Sequence, residues 1–119
     1  MRQSPSLRLE ATRQLMPWML LVVAGLLEVV WAYTMKLSVG FTRPGASAVT
    51  LLAMAASFAL LSISMRTLPL GTAYTVWTGI GAVGSFVIGI AALGEPLTPL
   101  RSVAALLIVA GIVLMKLST

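Results

Sequence analysis

The chain has 119 residues, 59% of them hydrophobic and only 9% charged, well beyond the roughly 45–50% apolar share of soluble domains. A soluble domain this small keeps too much surface for its volume to hide that many apolar side chains, so most of it is expected to sit in lipid. It has no Cys and no His, and its net charge of +5 comes from scattered Lys and Arg, which excludes a disulfide scaffold, a thiol nucleophile, a Cys/His zinc site, a histidine switch and a basic nucleic-acid-binding stripe.

The first 15 residues are polar, carry Arg2, Arg8, Arg13 and Glu10, and are expected to form a poorly ordered tail. No small-residue cleavage pattern follows the first apolar run, so a signal peptide is not indicated. Two readings stay open for the tail: a cytoplasmic extension, or residues added by an early start codon with Met16 the natural start. Four apolar segments follow, at about 17–36, 46–66, 72–93 and 100–117. Crossing the hydrocarbon core as a helix takes about 20 apolar residues. The first three segments meet that length, and the shorter fourth relies on Arg101 and Lys116 reaching the interface with their long side chains. Turns rich in Gly and Pro (Val39 to Gly45, Leu68 to Gly71, Gly94 to Pro99) separate them. Loops this short make consecutive helices antiparallel neighbours and place any function inside the bilayer. The expected fold is an all-α membrane protein of four transmembrane helices in residues 16–119.

Charge sets topology only weakly. With the tail set aside, Arg66 and Lys116 fall on one side of the membrane and Lys36, Arg43 and Arg101 on the other, a near balance that allows insertion in both orientations. The arginines of the tail, where translated, pull the N-terminus toward the cytoplasm.

Glu28, in the middle of the first segment, is the anomaly. A carboxylate at that depth is costly and should face a cavity or a partner rather than lipid. No Lys or Arg lies within the apolar interior to pair with it, so it can hold either a proton or an external cation, each expelling the other. The plainer reading is a protonated Glu acting as interhelical glue. Gly25 and Trp31 share the Glu28 face at i−3 and i+3, Gly25 opening space and Trp31 offering a ring. In the third segment Tyr74, Trp77, Thr78 and Gly81 share a face by the same spacing, and aromatic walls beside a carboxylate suit cations. Taken singly, each Trp fits an interface anchor or packing residue better; Trp18, at the membrane entry, is read as an anchor, whereas Trp31 and Trp77 sit too deep for an interface belt, which favours the pocket. Ser57 stands at mid-depth, either orienting the carboxylate or substrate, or simply bonding between helices. Gly79, Gly81 and Gly84 permit close packing or a kink in the third segment. Ala104 and Gly111, seven residues apart, form a small-residue stripe for helix pairing in the fourth.

These residues fit one family. The run Ala24-Gly25-Leu26-Leu27-Glu28-Val29-Val30-Trp31-Ala32, then Lys36 and Gly40-Phe41-Thr42, resembles the first helix of the small multidrug resistance transporters. So do the run from Pro69 to Gly84, with its Tyr74, Trp77 and clustered glycines, and the Gly94-Glu95-Pro96 turn. The likeness covers essentially all of 16–119, and Trp31 three residues after the glutamate resembles the guanidinium-exporter branch rather than the drug-exporting one. The resemblance implies a proton-coupled antiporter of the bacterial inner membrane, not an enzyme, driven by the proton gradient without metal or cofactor. It implies an antiparallel, dual-topology homodimer joined through the fourth helix by Ala104 and Gly111. It further implies Glu28 as the shared proton and substrate site, Ser57 bonded to the glutamate or substrate, and Trp31, Tyr74 and Trp77 completing the pocket. The tail departs from the family pattern and bears on how freely the protein inserts both ways. Export of quaternary ammonium or multidrug cations, and a non-transporting membrane subunit, are the competing readings.

Overall fold

The structure is a computed structural model, and it describes residues 5–118 together with all their side chains except that of Ala11. The first four residues of the tail, Arg2 among them, lie outside the described residues. Four helices follow in order: α1 Pro5–Leu37, α2 Pro44–Ser64, α3 Leu70–Leu93 and α4 Pro99–Leu117. All four are long and apolar enough to cross a membrane.

The largest difference from expectation lies in α1. The stretch 5–15, expected to be poorly ordered, continues the helix, which runs through Pro17 for 33 residues. At about 1.5 Å per residue α1 is roughly 50 Å long against a hydrocarbon core of about 30 Å, so its polar first turns extend past the apolar part. Proline at the first helical position explains the smaller differences. Pro44 and Pro99 mark turns in the sequence, yet they open α2 and α4, because proline's missing N–H is no loss there and its φ is already helical.

The ends of the helices are built locally. Thr98 accepts the Arg101 amide through its side chain and caps α4. Gly94 ends α3 in the left-handed region at φ 69°, and the Gly89 carbonyl takes amides from both Gly94 and Glu95. The α1–α2 turn is tighter: Val39, Gly40 and Phe41 all have positive φ (50°, 68° and 64°), which is rare for a β-branched residue. Fully buried Ser38 holds it, donating to the Met35 carbonyl at 2.6 Å and accepting the Phe41 amide at 3.0 Å.

Helix α1 packs against α2 and α3, and α3 carries α4. The buried face of α2 is Thr50, Ala53, Ser57, Leu61 and Ser64, a helical stripe with hydroxyls at seven-residue intervals. Each hydroxyl reaches α1: Thr50 Oγ1 is 2.7 Å from Thr34 Oγ1, Ser57 donates to the Ala24 carbonyl at 2.7 Å and Ser64 donates to the Pro17 carbonyl at 3.1 Å. The small core comprises Leu21, Ala24, Leu61, Ala73, Val76 and Trp77. Helix α4 has no buried residue and leaves Leu100, Leu106, Leu107 and Leu114 exposed, the distribution of a protein dissolved in an apolar solvent.

Candidate functional site

The site is built where α1 crosses α3. The Glu28 side chain lies directly on Gly81: a Cβ at that position would overlap its carboxylate and sit 2.7 Å from its Cγ. Flanking pairs repeat the pattern. Gly25 receives Ile80, whose Cγ2 would be 2.6 Å from an added Cβ, and Gly84 receives Val29. Gly25 therefore leaves no open space beside the carboxylate, as its small size suggested, because Ile80 fills it. Gly79 does the same on the other side of α3, seating Ile112 of α4, whose Cδ1 would be 2.8 Å from an added Cβ. Helix α3 runs unbroken through Gly79, Gly81 and Gly84, and the space given up by these glycines is taken by side chains of α1 and α4.

One turn away is an array of four rings from three helices. Trp31 meets Phe58 edge-on at 6.2 Å between centroids, Phe58 lies 5.7 Å from Trp77, and Trp77 lies 5.6 Å from Tyr74. Trp31 follows Glu28 by one turn of α1 and Trp77 precedes Gly81 by one turn of α3, and because the two helices run in the same direction (Gly25 on Ile80, Glu28 on Gly81, Val29 on Gly84), the two indoles stand one on each side of the carboxylate's level. Tyr74 is about half-exposed. The Trp31 indole Nε1 is buried with no hydrogen-bond partner among the described residues.

Ser57 ties the array to α1. The Trp77 indole N–H donates to Ser57 Oγ at 3.0 Å, and the Ser57 hydroxyl passes its own proton to the Ala24 carbonyl at 2.7 Å. That carbonyl is the one the α-helical pattern pairs with the Glu28 amide. Ser57 thus makes the interhelical bond that was one of its two readings, addressing the backbone beneath Glu28 rather than its carboxylate. Among the described residues no hydrogen bond or ion pair engages the Glu28 side chain.

Glu28, Ser57, Trp31, Tyr74 and Trp77 are thus brought together, while Ala104 and Gly111 stand apart on α4. Both are exposed, and nothing lies within 4 Å of a Cβ at Gly111. Phe58, the middle of the ring array, was missed by sequence reasoning. It is an apolar residue in an apolar helix, and only its place beside Ser57 marked it.

Residues 16–109 match the family described as Small Multidrug Resistance protein. The chain belongs to the small multidrug resistance family. Among relatives, the guanidinium exporters of Citrobacter freundii and Salmonella typhimurium are each 58% identical over 104 residues, which span 87% of this chain and 99% of the relative. The guanidinium exporter of Escherichia coli strain K12 is 55% identical over 104 residues, with the same coverage. As a small multidrug resistance protein with four helices able to span a membrane, it is a multi-pass protein of the bacterial inner membrane and a transporter rather than an enzyme.

Proposed function

We propose that this protein exports guanidinium-type cations in exchange for protons, with Glu28 as the shared site. The observation that carries this reading is the Glu28 carboxylate, which rests on Gly81 with no cationic partner among the described residues and is flanked by Trp31 and Trp77, the two indoles of a four-ring array. Guanidinium is planar, its N–H groups fit a carboxylate in a fork, and its faces stack on rings. A lone carboxylate in lipid is satisfied by a proton or by such a cation, and either one displaces the other. The high identity to proteins called guanidinium exporters supports this choice of cation over quaternary ammonium ions.

The working unit in this proposal is an antiparallel homodimer. One chain has no internal inverted repeat, and two copies of opposite orientation supply the symmetry other transporters encode in a single chain. The exposed apolar face of α4, with Ala104 and Gly111, is the surface for that pairing. The glycines of α3 serve as its hinge, letting the site open to alternate sides. In liposomes, a pH gradient should drive guanidinium uptake by the native protein and not by the Glu28→Gln variant. Uptake by that variant at a substantial rate, or movement of tetraalkylammonium ions in preference to guanidinium, would overturn the assignment.

A further inference from the structure

A second carboxylate, Glu95 in the α3–α4 turn, is already engaged with a guanidinium group belonging to the chain itself. Arg101 Nη2 lies 3.9 Å from Glu95 Oε1, Arg101 Nη1 donates to the Pro96 carbonyl at 2.6 Å, and its guanidinium carbon sits 5.3 Å from the centre of the Phe86 ring. Carboxylate, carbonyl acceptor and aromatic face are the groups that recognise guanidinium in general. The Glu95 side chain folds back over Gly89, where a Cβ would overlap it. Gly89 lies two turns beyond Gly81 on α3, with Ser85 midway.

A cavity of about 180 Å³ fills the interval, lined by Ala32, Tyr33, Lys36, Ser85, Gly89 and Glu95 among others. Ala32 is one turn beyond Glu28, so the cavity lies between the two carboxylates. With water occupying about 30 Å³ per molecule in the liquid, it holds a small planar cation and a few waters. Both members of the Glu95–Arg101 pair are more than a third exposed, and such surface pairs add little stability, so Arg101 can be displaced.

The geometry points to a mouth site for guanidinium cations at Glu95, Pro96 and Phe86, held in the resting protein by Arg101 as a tethered stand-in for the substrate. It deepens the proposed function and rests on that reading for its cation. An arriving guanidinium takes the place of Arg101 and then passes along the cavity toward Glu28. The like charge of Lys36 on the cavity wall opposes long residence there, as suits a transit site.

The test uses the Glu28→Gln protein, which leaves only Glu10 and Glu95 as side-chain carboxylates, labelled with 13C at the glutamate side-chain carboxyls and titrated with guanidinium chloride in bicelles at constant ionic strength. The Glu95 signal should shift saturably while Glu10 stays still, and adding Arg101→Ala should lower the half-saturation concentration several-fold. The mouth site is wrong if Glu95 moves no more than Glu10, or if Arg101→Ala leaves the midpoint unchanged. Because the central carboxylate is absent, the outcome is independent of transport: a silent Glu95 alongside intact Glu28-dependent export removes only the mouth site, and a responsive Glu95 in a chain that exports no guanidinium removes only the proposed function. In otherwise native protein, Glu95→Gln should raise KM for guanidinium several-fold with kcat retained, whereas a merely structural turn contact would leave KM unmoved.

Discussion

Glu28 of α1 and Gly81 of α3 occupy one place between them: the glycine supplies the volume and the glutamate fills it with its carboxylate. A methyl group at position 81 therefore competes with the acid itself. Gly81→Ala should displace the carboxylate, and with overpacking worth about 1–3 kcal/mol guanidinium affinity should fall about ten- to a hundredfold. Calorimetric titration of purified protein reads this directly, and unchanged affinity would mean that the seat is unimportant.

Gly25 and Ile80 meet in the same way one turn earlier, but without a titrating group. Gly25→Ala should destabilise the protein by about 1–3 kcal/mol, and Ile80→Ala in the same chain, which removes the Cγ2 that the added Cβ would meet at 2.6 Å, should recover part of that loss. A double-mutant cycle on thermal unfolding in detergent measures the coupling. Strict additivity would argue against the contact.

Ser57 stands between Trp77 and the backbone of α1. Ser57→Ala leaves the buried Trp77 N–H without its acceptor and removes the bond to Ala24, a loss of about 1–3 kcal/mol for the orphaned group. Indole 15N–1H spectra should show the Trp77 resonance shifted and exchanging faster with solvent. A Trp77 signal unaltered in the variant would contradict the arrangement.

Phe58 joins the rings of Trp31 and Trp77. Phe58→Leu keeps the apolar volume but breaks the array, so guanidinium affinity should weaken by several-fold, within the 0.5–2 kcal/mol or so of a cation–ring contact. Loss of stability with affinity intact would make Phe58 a packing residue only.

Exchange at one carboxylate, as proposed, also predicts a pH dependence. If guanidinium enters Glu28 only as a proton leaves, its apparent Kd must rise as pH falls, approaching about tenfold per pH unit for one proton exchanged. The Glu28→Gln variant should show neither the affinity nor the slope. Binding of equal strength across the acid range in the native protein would contradict competition.

Much of this was readable in the residues. The four apolar runs, the lone Glu28 and the aromatic spacing on α1 and α3 follow from helix periodicity and from how few charges the chain carries. Contacts between helices were not readable, because nothing in a sequence says which knob enters which gap. Gly25 could be taken for open space until Ile80 was found in it, and Ser57 for a partner of the carboxylate until its proton was traced to Ala24. Pro17 and the polar residues ahead of it read as a boundary, yet the helix passes through: a proline removes one amide donor, the partner of the carbonyl four residues earlier, without stopping a helix whose neighbours hold it, and Ser64 adds a separate bond from α2 to the Pro17 carbonyl.

The hydroxyl ladder of Thr50, Ser57 and Ser64 has a consequence for motion. Two rods pinned at three depths travel as a single plank, whereas α3 meets that plank through the Trp77–Ser57 bond and through glycine hollows and the side chains resting in them. Any rocking that carries a cation from one face of the bilayer to the other is thus steered to that smoother join, and the acid rides on it like cargo on the edge of a moving deck.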